Sequence, residues 1–172
     1  MSLPRKKLPI GIQSFAKLRN EGCYYVDKTE FALRLIDQGG YFFLSRPRRF
    51  GKSLFLDTLK ELFEGNRSLF DGLYAGERWD WSVQYPVIRI SFSDGVLQSQ
   101  MDLENKIGEI LRANAKRLGV ALDEPTLSGR FHALIEQTAT LAGQPAVVLI
   151  DEYDKPILDN IDQPEVAQIM RD

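Results

Sequence analysis

Cysteine and histidine are almost absent from this 172-residue chain, where Cys23 and His132 each stand alone. A single thiol excludes an internal disulfide and a cysteine-based zinc site, and it suits a reducing cytoplasm. A single imidazole excludes His-rich metal sites and leaves His132 as the one residue for any triad that needs histidine. Long apolar runs are lacking too. The longest, Ala146-Val147-Val148-Leu149-Ile150, has strand length, far short of the ~18 residues a membrane helix needs. Arg5, Lys6 and Lys7 near the N-terminus are followed by no apolar stretch of the kind a signal peptide carries. Nor is there an excess of one charge: 22 basic residues face 24 acidic ones, a formal net charge of -2. Binding to nucleic acid through bulk charge is therefore disfavoured, which leaves only a local basic patch for that role.

What is present is the composition of one ordinary globular domain, 44% hydrophobic and 27% charged. No repeat or low-complexity tract interrupts it. Residues 1–11 hold two prolines and the basic cluster and read as an arm or loop, with residues 12–172 forming the domain. Asp27 is placed to cap a helix running to about Gln38, with Phe31, Leu35 and Ile36 on one face and Gly39-Gly40 ending it. Tyr41-Phe42-Phe43-Leu44 reads as a buried strand. After the loop Arg46 to Phe50, apolar residues Phe55, Leu59, Leu62 and Phe63 follow helical spacing up to Gly65. Trp79, Trp81 and Tyr85 lie in a long connection, Asn66 to Pro86, and are expected to form a small satellite core.

Val87 to Ser93 alternates Ile88, Ile90 and Phe92 with Arg89, Ser91 and Ser93, which predicts a strand covered on one face. Leu103, Ile107, Ile110, Leu111 and Leu118 mark a helix ending at Gly119. Leu127, Phe131, Leu134, Ile135, Thr138 and Leu141 mark another ending at Gly143. The strand Ala146 to Ile150 follows, and a further helix begins near Pro164. Apolar strands alternating with helices indicate an α/β domain with a mostly parallel sheet. Ligands bind beyond the carboxyl ends of such strands, where both Arg46 to Ser53 and Asp151-Glu152 are expected.

Gly51-Lys52-Ser53, between an expected strand and an expected helix, occupies the position of a phosphate loop. Gly51 lets the backbone approach a phosphate with no Cβ in the way. The N–H groups of Gly51, Lys52, Ser53 and Leu54 would point at phosphate oxygens, helped by the positive end of the helix. Lys52 would neutralise β- and γ-phosphate charge, and Ser53 would give its hydroxyl to Mg²⁺. The full pattern G-x-x-x-x-G-K-[ST] is imperfect, because Arg46 stands at its first glycine. Arg46, Arg48, Arg49 and Lys52 place four cations within seven residues, and guanidinium forks match phosphate oxygens. Ordinary helix capping and a solvated basic loop remain the competing readings.

Val147-Val148-Leu149-Ile150-Asp151-Glu152 is an apolar strand ending in two carboxylates, the Walker B pattern. Asp151 would hold Mg²⁺ and Glu152 would be the general base that polarises the attacking water. The alternative is a strand that simply ends in surface acids.

Several segments together resemble the AAA-ATPase-like family of P-loop proteins. They are Tyr25-Val26-Asp27-Lys28-Thr29; Leu44-Ser45-Arg46-Pro47-Arg48-Arg49-Phe50-Gly51-Lys52-Ser53-Leu54; Tyr85-Pro86-Val87-Ile88; and Ile150-Asp151-Glu152-Tyr153-Asp154-Lys155-Pro156-Ile157. The resemblance runs from about Ile10 to Ile161, and the departure at Arg46 is similar to this family's own loop. It implies a three-layer P-loop NTPase-type sandwich, ATP and Mg²⁺ as ligands, and Asp151 and Glu152 as the acidic pair. It implies nucleotide binding at Gly51, Lys52 and Ser53; with the loop's own cations and N–H groups, the expected nucleotide-binding residues are Arg46, Arg48, Arg49, Phe50, Gly51, Lys52, Ser53 and Leu54. It also implies a further strand after the acid pair, between the first strand and the Walker B strand, and often a C-terminal nuclease-like domain of the PD-(D/E)XK type. The sequence stops at Asp172 before such a strand, so the expected fold is incomplete at its C-terminus and hydrolysis by these residues is expected to be impaired.

Lesser candidates have plain alternatives. Tyr24 and Tyr25 either stack on a base or pack against the core. Asp27 and Lys28 are a helix cap and a surface charge, or lie near the nucleotide. His132 is expected to be partly buried and structural, and Cys23 inert. Asp154 and Lys155 either order the acid pair or form a local salt bridge. The leading expectation is an ATP·Mg²⁺-binding domain that in intact form hydrolyses the β–γ phosphoanhydride, with Glu152 and Lys52 catalytic and Ser53 and Asp151 on the metal. The rivals are a nucleotide-gated switch without useful turnover and a nucleic-acid-binding module using Arg5, Lys6, Lys7, Arg48 and Arg49.

Overall fold

The computed structural model describes residues 5–47 and 49–170. The chain divides into two compact units, Met1–Gln84 and Tyr85–Asp172.

The first unit contains α1 (Phe15–Asn20), α2 (Thr29–Gln38) and α3 (Lys52–Phe63), followed by two 3₁₀ turns, Arg67–Phe70 and Tyr74–Glu77. Ser14 begins α1 as its N-cap, accepting the Lys17 N–H. Phe15 and Leu18 bury the other side of that short helix, and the Phe15 ring meets Phe70 at 4.9 Å and Tyr25 at 5.1 Å. Tyr25 is therefore a core ring, and Tyr24 is the exposed one of the pair. Asp57 on α3 is buried and accepts the Phe15 N–H at 2.7 Å, which satisfies a first-turn donor that a helix cannot satisfy itself. Arg19 then ties α1 to the first 3₁₀ turn through the carbonyls of Leu69 and Asp71.

Asp27 and Thr29 form a clasp. Asp27 accepts from the Thr29 N–H, the Thr29 hydroxyl and the Tyr74 N–H, while the Thr29 hydroxyl accepts the Ala75 N–H. The clasp holds the start of α2 against the second 3₁₀ turn; the N-cap itself is Lys28, with no side-chain cap bond, so Asp27 is not the cap expected of it but acts one residue earlier, on the Thr29 N–H. In the connection after α3, Phe63 meets Trp79 edge-on at 5.7 Å and Phe70 meets Trp81 at 5.2 Å. Trp79 and Trp81 thus pack against neighbouring rings as expected, whereas Tyr85, expected with them, falls in the second unit.

Two expectations for this unit are corrected. Tyr41-Phe42-Phe43-Leu44 is not a strand; it is irregular, and all four side chains are exposed. A strand exists by pairing its N–H and C=O groups with a neighbour, and β-propensity expresses fit to a pleated, half-buried surface. Among the described residues of this unit no second strand is present to supply either. The face of α2 is also turned: Thr29 and Ala32 are buried and Leu35 and Ile36 half-buried, whereas Phe31 is exposed. The Asp27–Thr29 clasp sets that rotation by drawing the Thr29 side inward.

The second unit contains β1 (Val87–Ser91), α4 (Gln100–Leu118), α5 (Leu127–Ala142), β2 (Val147–Asp151), α6 (Lys155–Leu158) and α7 (Pro164–Ile169). The two strands pair in parallel, in register from Val87 with Val147 to Ser91 with Asp151. A parallel pair needs a long crossover, and α4 and α5 supply it. Their ends follow the sequence: the Ser99 and Thr126 hydroxyls accept first-turn N–H groups at 3.1 Å, and Gly119 and Gly143 adopt left-handed C-caps. Ile88, Leu111, Ala115 and Leu134 form the buried centre, with Ile90, Val148, Leu127 and Phe131 packed around it. The Ile88–Ile90 face of β1 lies under the helices, but Val87 on the other face is buried as well and Arg89 and Ser91 are half-buried, so the strand is not covered on one face alone.

Asn114 on α4 works at the edge of β1. Its amide oxygen accepts the Arg89 N–H at 3.0 Å and its amide nitrogen donates to the Arg89 carbonyl at 2.8 Å, as a neighbouring strand would. Arg117 adds a bond to the Val87 carbonyl.

Helices and a parallel sheet make the chain α/β. Among the described residues the sheet has two strands rather than the wider sheet of the expected sandwich. His132 is exposed, contrary to expectation, with Nδ1 at 3.4 Å from a Glu136 carboxylate oxygen. α5 turns Ala133, Leu134 and Thr138 inward, and His132 falls just outside that arc. Among the described residues no helix is long and apolar enough to cross a membrane.

Candidate functional site

The first candidate segment enters α3. Gly51 is the N-cap, in the left-handed region at φ 78°, and offers no side-chain cap. The Phe55 N–H makes a bond to the Gly51 carbonyl at 3.0 Å, so the preceding N–H groups of Lys52, Ser53 and Leu54 are the first-turn donors that helical geometry leaves without helical acceptors. A capping side chain would have competed for these donors; a glycine leaves them available to an anion.

Lys52 reaches back along the loop, and its Nζ donates to the Arg46 carbonyl at 2.9 Å. The structure thus brings Arg46 and Lys52 together across the six intervening bonds of the loop. Arg49 is left-handed at φ 67°, and the Phe50 N–H closes a turn on the Pro47 carbonyl at 3.4 Å. Arg46, Arg49 and Phe50 are exposed, and Lys52, Ser53 and Leu54 are half-buried. Arg48 lies outside the described residues.

The second candidate segment ends β2. Asp151 is the last residue of the strand and is buried; its carbonyl accepts the Phe92 N–H at 3.3 Å. Glu152 leaves the strand in the left-handed region at φ 53° and is half-buried. Its carbonyl accepts the Lys155 N–H at 3.0 Å, which closes the turn into α6. Opposite, the Ser91 hydroxyl donates to Ser93 Oγ at 3.1 Å.

Lys155 makes the local ion pair with Asp159 and also donates to the Gly95 carbonyl at 2.7 Å. Asn160, which sequence reasoning missed, is buried and donates to the carbonyls of Leu97 and Pro156 at 2.6 and 2.8 Å. Standing between Asp159 and Ile161, with Asp162 following, it carries no signal in the sequence that sets it apart from a surface residue.

Among the described residues, the non-glycine residues with positive φ are Arg49 and Glu152. Such backbone costs of order 1 kcal/mol and persists where surrounding structure imposes it, often at functional sites. One of these residues stands in each candidate segment. Charge is also divided: 14 basic and 10 acidic residues fall in the first unit, 8 and 14 in the second. The near-neutral whole conceals a cation-rich unit bearing the lysine loop and an acidic unit bearing the carboxylate pair.

A parallel strand pair with adjacent acids where β2 ends, and a glycine-led helix start whose lysine folds back on its own loop, define an α/β protein. The model of the AAA-ATPase-like family, described as "Predicted AAA-ATPase", matches residues 9–172, and the chain belongs to that family. It is 58% identical over 171 residues to the "Uncharacterized protein in vnfD 5'region" of Azotobacter chroococcum mcd 1, an alignment covering 99% of this chain and 33% of that protein. The chain therefore spans about a third of the length of the curated relative it matches. No solved structure matches it.

Proposed function

We propose that the chain binds ATP with Mg²⁺ through Gly51–Leu54 and Asp151-Glu152, and that the intact protein hydrolyses the β–γ phosphoanhydride. The observation that carries this reading is the start of α3, where first-turn N–H groups meet no capping side chain and Lys52 curls over its own loop. Membership of a family described as ATPases supports it. The fit to a metal rests on donor chemistry: a half-buried Ser53 hydroxyl and a buried Asp151 carboxylate are hard oxygen ligands of the kind Mg²⁺ takes. Bound there, Mg²⁺ would neutralise charge on the phosphate oxygens.

The chain's own residues do the rest. The N–H groups of Lys52, Ser53 and Leu54 hold phosphate oxygens, and Lys52 exchanges the Arg46 carbonyl for the β- and γ-phosphates. Arg46 and Arg49 add guanidinium contacts from the exposed loop. Glu152 takes the proton of a water as it attacks the γ-phosphorus in line. The preference for adenine follows the family description alone.

Calorimetric titration with ATP and GTP, each with and without Mg²⁺, tests the reading. Mg²⁺-dependent ATP binding that Lys52→Ala weakens supports it. Equal affinity in wild type and Lys52→Ala, or no binding of either nucleotide, overturns it.

A further inference from the structure

Behind the acid pair, two side chains reach across from α6 and the residue pair following it to the loop that leaves β1. The loop starts at Ser91, the register partner of Asp151, and runs to the Ser99 cap of α4. Lys155 Nζ holds its Gly95 carbonyl, and Asn160 Nδ2 holds its Leu97 carbonyl. The Leu97 side chain is buried at the second of these anchor points. With the Phe92 N–H on the Asp151 carbonyl, the contacts close a ring: the end of β2, the end of β1, the loop, the Lys155 and Asn160 tethers, α6, and back to Glu152.

We propose that Lys155 and Asn160 are positioning residues for Glu152, fixing through the Gly95 and Leu97 carbonyls the direction in which the glutamate leaves β2. The proposal rests on the ATPase reading above. α6 has four residues, too few for a helix to hold its own shape. Glu152 sits in a backbone region that glycine favours and glutamate does not. A short helix preceded by a strained residue takes its geometry from what it is tied to. Asn160 ties at both ends, donating also to Pro156 at the start of α6. Asp159 holds the Lys155 ammonium from the next turn and keeps the long side chain aimed at Gly95. The main chain thus turns at Glu152 while its exit is clamped three and eight residues later.

The test compares Lys155→Met, Lys155→Arg and Asn160→Ala with wild type in the intact protein, by steady-state Mg·ATP turnover and by amide hydrogen exchange of residues 93–98. Lys155→Met is expected to lower kcat by about 10–100-fold, the effect of a misplacement near 1 Å, with KM within about twofold because Glu152 does not hold the phosphates. Exchange at Gly95–Leu97 should quicken, and Lys155→Arg should restore most of kcat because its donor reaches the same carbonyl. Asn160→Ala should repeat the kcat loss. Loss of melting temperature with kcat intact, or a loss carried by KM, overturns the proposal. Turnover in wild type that Lys155→Met leaves unchanged overturns it alone, whereas absence of turnover in wild type overturns the ATPase reading and this proposal with it.

Discussion

Lys52 Nζ donates to the carbonyl of Arg46 at 2.9 Å, so the lysine closes the loop that precedes its own helix. This is an exposed contact, and losing it costs the fold little. For the anion the same ammonium is a charged partner. Lys52→Ala is therefore expected to weaken ATP binding by about 10–100-fold, equivalent to about 1.5–3 kcal/mol for a hydrogen bond to a charged group, with an unchanged urea midpoint. Calorimetry and urea unfolding of the same preparation check both halves.

Glu152 at φ 53° makes a second expectation. Glu152→Gly removes the Cβ that the left-handed region disfavours, so it should unfold at or above the wild-type urea midpoint. Glu152→Val places a β-branched residue there and should lose at least about 1 kcal/mol. If the two variants unfold at the same midpoint, the turn is not held in this conformation in solution.

Asp27 gives a pH dependence. Burial pushes its carboxyl up, but the Tyr74 N–H, the Thr29 N–H and hydroxyl and the Arg19 charge together outweigh burial and hold it below the ordinary value. A carboxylate with a depressed folded pKa contributes stability that is present above its unfolded pKa and lost as pH falls through the folded one. Asp27→Ala should be less stable than wild type near pH 7, and the difference should shrink as pH falls below the ordinary carboxylate range. Denaturant unfolding at neutral pH and near pH 3 measures this, and a difference that grows in acid would refute the clasp.

Asn114 is buried and satisfies both main-chain groups of Arg89. Asn114→Leu keeps the branched shape and the number of heavy atoms, though not the volume, and removes the partners. It should cost about 1–3 kcal/mol, the penalty for leaving buried backbone groups unpaired, with no effect on nucleotide affinity. A neutral variant would show that water replaces the amide.

The sequence made some of this structure readable and hid the rest for physical reasons. α4 and α5 stand out because apolar spacing, a hydroxyl cap and a terminal glycine agree at each: Ser99 with Gly119, Thr126 with Gly143. β1 and β2 stand out because one alternates and the other is continuously apolar. Tyr41-Phe42-Phe43-Leu44 misleads because four apolar residues state a preference, while pairing depends on a neighbour that sequence spacing does not reveal. The rotation of α2 and the exposure of His132 hinge on contacts distant in the chain, such as Asp27 with Tyr74. In the candidate site, residue types and order were visible, as was the glycine at the start of α3. The left-handed backbone at Arg49 and Glu152 was not, since neither residue type announces it.

The amide of Asn114 leaves the small sheet with unlike margins. In a parallel pair, alternate residues of each strand turn their N–H and C=O groups outward. On β1 the outward residues are Val87, Arg89 and Ser91, of which Arg89 is held by Asn114 and the Val87 carbonyl by Arg117; on β2, with Val147 and Asp151 bonded toward β1, they are Val148 and Ile150. The half-exposed Ile150 side chain lies along that second margin. Asn114 on α4 thus occupies the β1 margin at Arg89, and a strand added to this sheet would lie along β2, beside Val148 and Ile150.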